Sequence, residues 1–292
     1  MLRTAFAAAV AALVLAPSVE AKRAIRIFSP VEKLVRSDVV AVGKVTAIEK
    51  DDVLAPQFPG APDKVAYKVA VVKIESGLVG TNAITHVKIG FVPPAGDPNA
   101  PQPGGGRPGR GGYAPVNLTK DMEALFYLKK HHSADFYTVE PIMAPIETKD
   151  EGYKAQMELV KKGAAVIADP LKALKAEKAD DRTFAAALLV TKYRSYPDNA
   201  PEVENVKIGA DESKLILKAI SEGDWKKDQD GTAPHPYQAF SMLGLNETSG
   251  FKFPMVKPGE DFIEKAKEAY TAWLAGAGKD YQITKIVAKP KK

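Results

Sequence analysis

Apolar positions in the first half of the chain fall into runs and alternations that predict strands. Val39 to Ile48 begins with apolar residues on both faces, as in a buried strand, and Gly43 inside it predicts a bulge or a tight bend. Tyr67 to Glu75 sets Val69 and Val71 on one face and Ala70, Val72 and Ile74 on the other. His86 to Val92 alternates, with Val87, Ile89 and Phe91 facing one way. Ala124 to Leu128 and Phe136 to Val139 predict two more strands, and Ala24 to Phe28 a short leading one. Between them Ser29 and Pro30 read as the cap and first residue of a short helix through Val35.

From Asp150 onward the period becomes helical. Tyr153, Met157, Val160 and Ala164 form one face. Asp169-Pro170 opens a short helix with Leu171 and Leu174 inward. Asp180 or Asp181 caps the next, with Phe184, Leu188 and Thr191 along one side, and Tyr196-Pro197 ends it. Leu215, Ile216, Ala219 and Ile220 stripe a fourth helix, stopped by Gly223. A fifth runs from Pro236 to Leu243. A sixth starts near Pro258 with Phe262, Ala266, Tyr270 and Trp273 on one face, and Gly276 and Gly278 terminate it. Tyr281 to Ala288 predicts a last short strand before a basic tail.

Pro93 to Pro115 interrupts the strand pattern. Seven Pro and seven Gly fill 14 of its 23 positions, too few apolar groups to form a core, so a disordered or polyproline-II-like loop is expected. The 292 residues predict two domains.

The first 21 residues have the form of a secretory signal peptide: Arg3, a 12-residue apolar run from Ala5 to Ala16, Pro17, then Val19-Glu20-Ala21 before a cleavage point. Such a run rises about 18 Å as helix, short of a hydrocarbon core of roughly 30 Å. A periplasmic or secreted mature protein is expected, with cleavage near Ala21. The chain has no Cys, which excludes disulfides, a lipidated Cys and a Cys nucleophile. The net charge is +5, carried by 33 Lys against 8 Arg. Lys is a hydrated point charge without the planar fork of Arg, so the surface reads first as solubility and second as weak attachment to an anionic polymer. Specific nucleic-acid recognition is not expected.

The candidate chemistry narrows quickly. Gly104 to Gly109 satisfies G-x-G-x-x-G, but no helical pattern follows to present its N-terminus to a pyrophosphate. Asp228-Gln229-Asp230-Gly231 resembles part of a calcium loop, yet the register that places Gly231 correctly puts Lys226 and Tyr237 where acidic ligands belong. His86, His131, His132 and His235 fall in no metal-binding spacing. No cofactor or metal is expected. Trp225, Phe251, Phe253, Tyr270 and Trp273 suit a core or a sugar platform, with core favoured at this spacing. Arg107, Arg110 and Tyr113 are the large cationic and aromatic groups of the Gly/Pro loop and the candidate partner-binding residues.

Arg36 to Val45, Tyr67 to Ile74, Leu78-Val79-Gly80 and Ala124 to Leu128 together resemble the OB-like barrels of exported bacterial proteins related in shape to the netrin and tissue-inhibitor-of-metalloproteinase domain. The inhibitors of that group chelate zinc through an N-terminal Cys, which this chain lacks, so the resemblance implies a fold and no activity. The expected architecture is α+β: an OB-like antiparallel β-barrel over residues 22–148, then an all-α helical domain over 149–292. The expected function is that of an exported non-catalytic binding or scaffold protein whose partner is an envelope protein or anionic polymer. The alternatives are a hydrolase with carboxylates at the domain cleft and a Lys-mediated accessory of a surface polymer.

Overall fold

Strand β1, Val39–Ile48, is the centre of the sheet because its first five residues are buried on both faces. The structure, a computed structural model, describes residues 28–82, 84–94, 115–198, 200–227 and 233–289. The signal-peptide positions, the leading strand before Phe28 and most of the Pro/Gly loop lie outside the described residues. So do the motifs at Gly104–Gly109 and Asp228–Gly231.

The fold is α+β, with a large mixed sheet and seven α-helices among the described residues. After α1 (Pro30–Arg36) and β1 come β2 (Val53–Pro56), β3 (Lys64–Val79), β4 (His86–Phe91), β5 (Glu123–Lys130), β6 (Tyr137–Thr138) and β7 (Ile146–Glu147). β1 pairs with both β3 and β5, β3 with β4, and β6 with both β4 and β5, so the pairings run in a ring back to β1. The ring is irregular, because two-residue β6 closes it with two residue pairs on each side. β4 and β6 are parallel, so the expected all-antiparallel arrangement is corrected to a mixed sheet. β2 and β7 were not legible in the pattern, being four and two residues long.

Gly43 behaves as its position predicts. The β1–β3 register shifts between Val42 and Gly43. A Cβ there would lie 2.6 Å from the Lys73 carbonyl oxygen and 2.7 Å from Val72 Cγ1. Only glycine lets the two strands approach so closely.

The sheet buries two faces. Val39, Val45, Ala70, Val72, Ile89, Phe126 and Leu128 share one core. Val40, Val42, Leu125 and Tyr127 share another with Leu34 of α1 and with Met157 and Val160 of α2, Tyr153–Ala168. The start of α1 is fixed by a reciprocal cap: Ser29 Oγ accepts the Glu32 N–H at 3.2 Å, and Glu32 Oε2 accepts the Ser29 N–H at 3.1 Å.

The second half holds α3 (Pro170–Leu174), α4 (Ala179–Arg194), β8 (Val203–Lys207), α5 (Ala210–Glu222), α6 (Pro236–Leu243), α7 (Phe262–Ala275) and β9 (Thr284–Ala288). Asp169 caps α3 as expected, but Leu171 is 46% exposed, because this one-turn helix can bury only Leu174. α4 starts at Ala179 with Lys178 at its cap position, two residues earlier than a cap at Asp180 would put it, so Asp180 and Asp181 lie in its first turn, where they complement the helix dipole. It has no one-sided stripe: Thr183 to Thr191 are all buried, since α1, α2, α3, α5, α6 and β9 surround it. β8 and β9 pair antiparallel as a separate two-stranded sheet. This half is therefore not all-α; β9 was legible, but β8 was not, because four of its five residues are exposed and give no apolar alternation.

Candidate functional site

The aromatic residues of the second half divide sharply by burial. Trp225, Phe251, Tyr270 and Trp273 are buried in the same cluster as α4. Their polar atoms are spoken for by backbone carbonyls: Trp225 Nε1 donates to Ile220 O at 2.8 Å, Tyr270 Oη to Leu217 O at 3.0 Å, and Trp273 Nε1 to Ser249 O at 2.8 Å. A buried aromatic ring needs such a partner for its polar end, and here that partner is the fold itself. These four are core, as favoured from the sequence.

Phe253 is different. It is 58% exposed, and its ring stands edge-on to Phe251 at 5.1 Å between centroids, with Phe240 of α6 at 6.4 Å. It lines a cleft of about 140 Å³ together with Tyr237, Phe240, Ser241, Leu245 and Phe262. Phe262, expected on the inner stripe of α7, is 44% exposed on this rim. The helix begins at Phe262 with Asp261 as its cap, and Ala266, Tyr270 and Trp273 fill the core below without it. Met255, two residues along from Phe253, is 97% exposed. Thus three large apolar side chains stand in solvent along one short stretch of chain. A sequence signal was present: Phe253 directly precedes Pro254, and Met255 and Val256 lie between Pro254 and Pro258, with neither helical nor strand period.

The segment carrying them has no secondary structure from Phe251 to Lys257. Phe251 N–H donates to Asn246 O at 3.0 Å, and Lys257 N–H to Glu260 Oε2 at 2.9 Å. Between these anchors, the backbone groups of Lys252 to Val256 form no hydrogen bond with another described residue.

His131 and His235 serve the fold. His131 is buried against Tyr67 and Phe136. Its Nε2 lies 3.1 Å from Pro56 O, and its Nδ1 accepts the N–H groups of Ser133 and Ala134 at 3.2 and 3.0 Å. The bonding fixes a neutral ring with the proton on Nε2. Burial, and then the neighbouring His132, hold its pKa below the usual value. His235 caps α6: its Nδ1 accepts the Tyr237 N–H at 3.2 Å, and its Nε2 meets Lys227 O at 2.7 Å. Neither ring has a nitrogen left for a metal or a substrate proton. No group of three or more His, Asp or Glu suited to a metal occurs among the described residues.

Among the described residues, the carboxylates with displaced pKa values (Asp181, Asp224 and Asp261) are pushed down, the direction that keeps them ionised. Lys162 does this to Asp181, the backbone N–H of Lys226 to Asp224, and the Lys226 ammonium to Asp261. Arg107, Arg110 and Tyr113, the partner-binding candidates from the sequence, lie outside the described residues.

In comparison with known proteins, the chain matches no protein-family model and no curated protein.

Proposed function

We propose that this chain is an exported, non-catalytic binding protein of the bacterial envelope, and that it holds its partner at the α6–α7 cleft. The observation that carries this is the exposure of Phe253 and Phe262 on the lining of one concave site, with Met255 exposed two residues along the chain from Phe253. Covering a large apolar side chain that otherwise stands in water contributes about 1.5–3 kcal/mol, and clustered exposed apolar groups mark interaction sites. The amino-terminal signal pattern supports export. The ring of pairings, with β1 between β3 and β5 and with β4 parallel to β6, supports the OB-like reading of the sheet, which would then serve as the rigid support.

The test is capture from envelope extract with the full mature chain and with a Phe253→Ser/Met255→Ser double variant. Wild type should retain a partner that the double variant loses. Retention of the same proteins by both would overturn the assignment of the cleft.

A further inference from the structure

We propose that the cleft takes an extended acidic segment of another protein, which pairs with the main chain of Lys252–Val256 and inserts an apolar side chain beside Phe253. This rests on the reading of the cleft as the partner-holding site. Three observations specify the occupant.

The first is the free backbone. Pro254 fixes its own φ and biases Phe253 toward extended geometry, and Pro258 does the same for Lys257. In an extended segment alternate residues present their N–H and C=O to opposite edges. Phe253 and Met255 then share one edge with full donors and acceptors, while the other edge contains Pro254, which has no N–H. One complete edge, unpaired within the described residues, is the template that an added strand uses.

The second is charge. Lys252 and Lys257 bracket the exposed Phe253 and Met255, and neither forms an ion pair with a described residue. The acidic groups nearby are engaged. Asp261 and Glu264 both bind Lys226, at 2.9 and 3.0 Å, and Glu260 accepts the Lys257 N–H. The stretch Phe251–Pro258 contains no Asp or Glu.

The third is that the remaining segments of the mature chain, residues 1–21 being removed under the export reading, fit poorly. Positions 22–27, 95–114 and 290–292 each carry net positive charge. Positions 228–232 are acidic but read Asp-Gln-Asp-Gly-Thr, with no large apolar side chain to enter the cleft. The occupant is therefore a second protein with acidic residues flanking an apolar anchor.

The probes are short fluorescent peptides with a central Leu-Trp-Leu flanked on both sides by Asp and Glu, by Ser and Gly, or by Lys. They are titrated onto the full mature chain by anisotropy. The acidic peptide should bind roughly tenfold or more tighter than the neutral one, with the advantage shrinking as salt rises. Backbone N-methylation of its central residues should abolish binding. Phe253→Ser/Met255→Ser should weaken the acidic and neutral peptides alike, with an unchanged melting curve as the control for folding. Lys252→Glu/Lys257→Glu should transfer the preference to the Lys-flanked peptide. Equal binding of the acidic and neutral peptides, or acidic binding indifferent to Phe253→Ser/Met255→Ser, would overturn the inference. So would self-association through the cleft, or phosphatidylglycerol vesicles bound at Phe253 where the acidic peptide is not. The two readings fail separately. If the peptides bind alike but the envelope partner is still lost by Phe253→Ser/Met255→Ser, only the acidic segment is wrong. If that variant keeps the partner, the cleft assignment falls and this inference with it.

Discussion

Lys129 Nζ lies 2.6 Å from Asp198 Oδ2, and this contact ties the end of β5 to the segment that follows α4. The Lys129 side chain is nearly buried, whereas Asp198 is half exposed, and Glu140 stands 3.5 Å from the same ammonium. The strand thus places a cation inside the protein that must be matched from the helical half. Removing one partner of a buried pair leaves the other uncompensated. With Glu140 still present, Asp198→Ala should cost about 1–2 kcal/mol, less than the full penalty for a broken buried pair. Lys129→Met should cost less than Asp198→Ala, since it removes the buried charge itself. Urea denaturation of both variants checks the order.

Gly43 offers a steric test. Any side chain there meets the Lys73 carbonyl and Val72. Gly43→Val should destabilise by about 1–3 kcal/mol, in the range of core overpacking. Gly60, whose added Cβ would meet nothing, should show far less dependence on side-chain size. Parallel melting curves for Gly43→Val and Gly60→Asn measure the difference.

His131 supplies a pH dependence. Its folded pKa lies below the ordinary 6.5, so the unfolded chain takes up the proton first as pH falls. Stability is therefore unaffected by this group above 6.5 and declines as pH drops from 6.5 through the lower folded value. His131→Gln should lose baseline stability and should also show a flatter melting temperature between pH 7 and pH 5 (about the window set by the 6.5 reference). An unchanged slope in the variant would assign the acid sensitivity to other groups.

Arg194 joins three elements at the end of α4. Its Nε donates to Met242 O at 3.2 Å, and its Nη1 to Asn205 Oδ1 at 3.1 Å and Thr284 Oγ1 at 2.9 Å. Arg194→Ala removes charge-assisted bonds to both strands of the β8–β9 pair. A loss of about 1.5–3 kcal/mol is expected, with hydrogen exchange rising first in Val203–Lys207 and Thr284–Ala288. Uniform deprotection of the whole chain would mean that the ribbon is no separate unit.

The sequence by itself determined the elements whose signals are local. Apolar runs located β1, β3, β4 and β5, because a buried strand must be apolar wherever the sheet is covered. Ser29-Pro30, Asp169-Pro170 and Pro236 marked helix starts, because caps and proline act within one turn. Gly43 announced its bulge for the same reason. Tertiary structure alone decided what depends on distant partners. β6, itself legible as part of Phe136–Val139, closes the ring only by pairing with β4 some fifty positions earlier, and β8 exists because β9 pairs with it some eighty positions later. The burial of α4 on every side comes from six surrounding elements, not from its own period. The cleft was hidden most completely. Phe251 and Phe253 are the same residue type two positions apart, yet one is core and the other stands in solvent. The difference is that Trp273 and Phe240 close over Phe251, while nothing among the described residues packs across the outer side of Phe253.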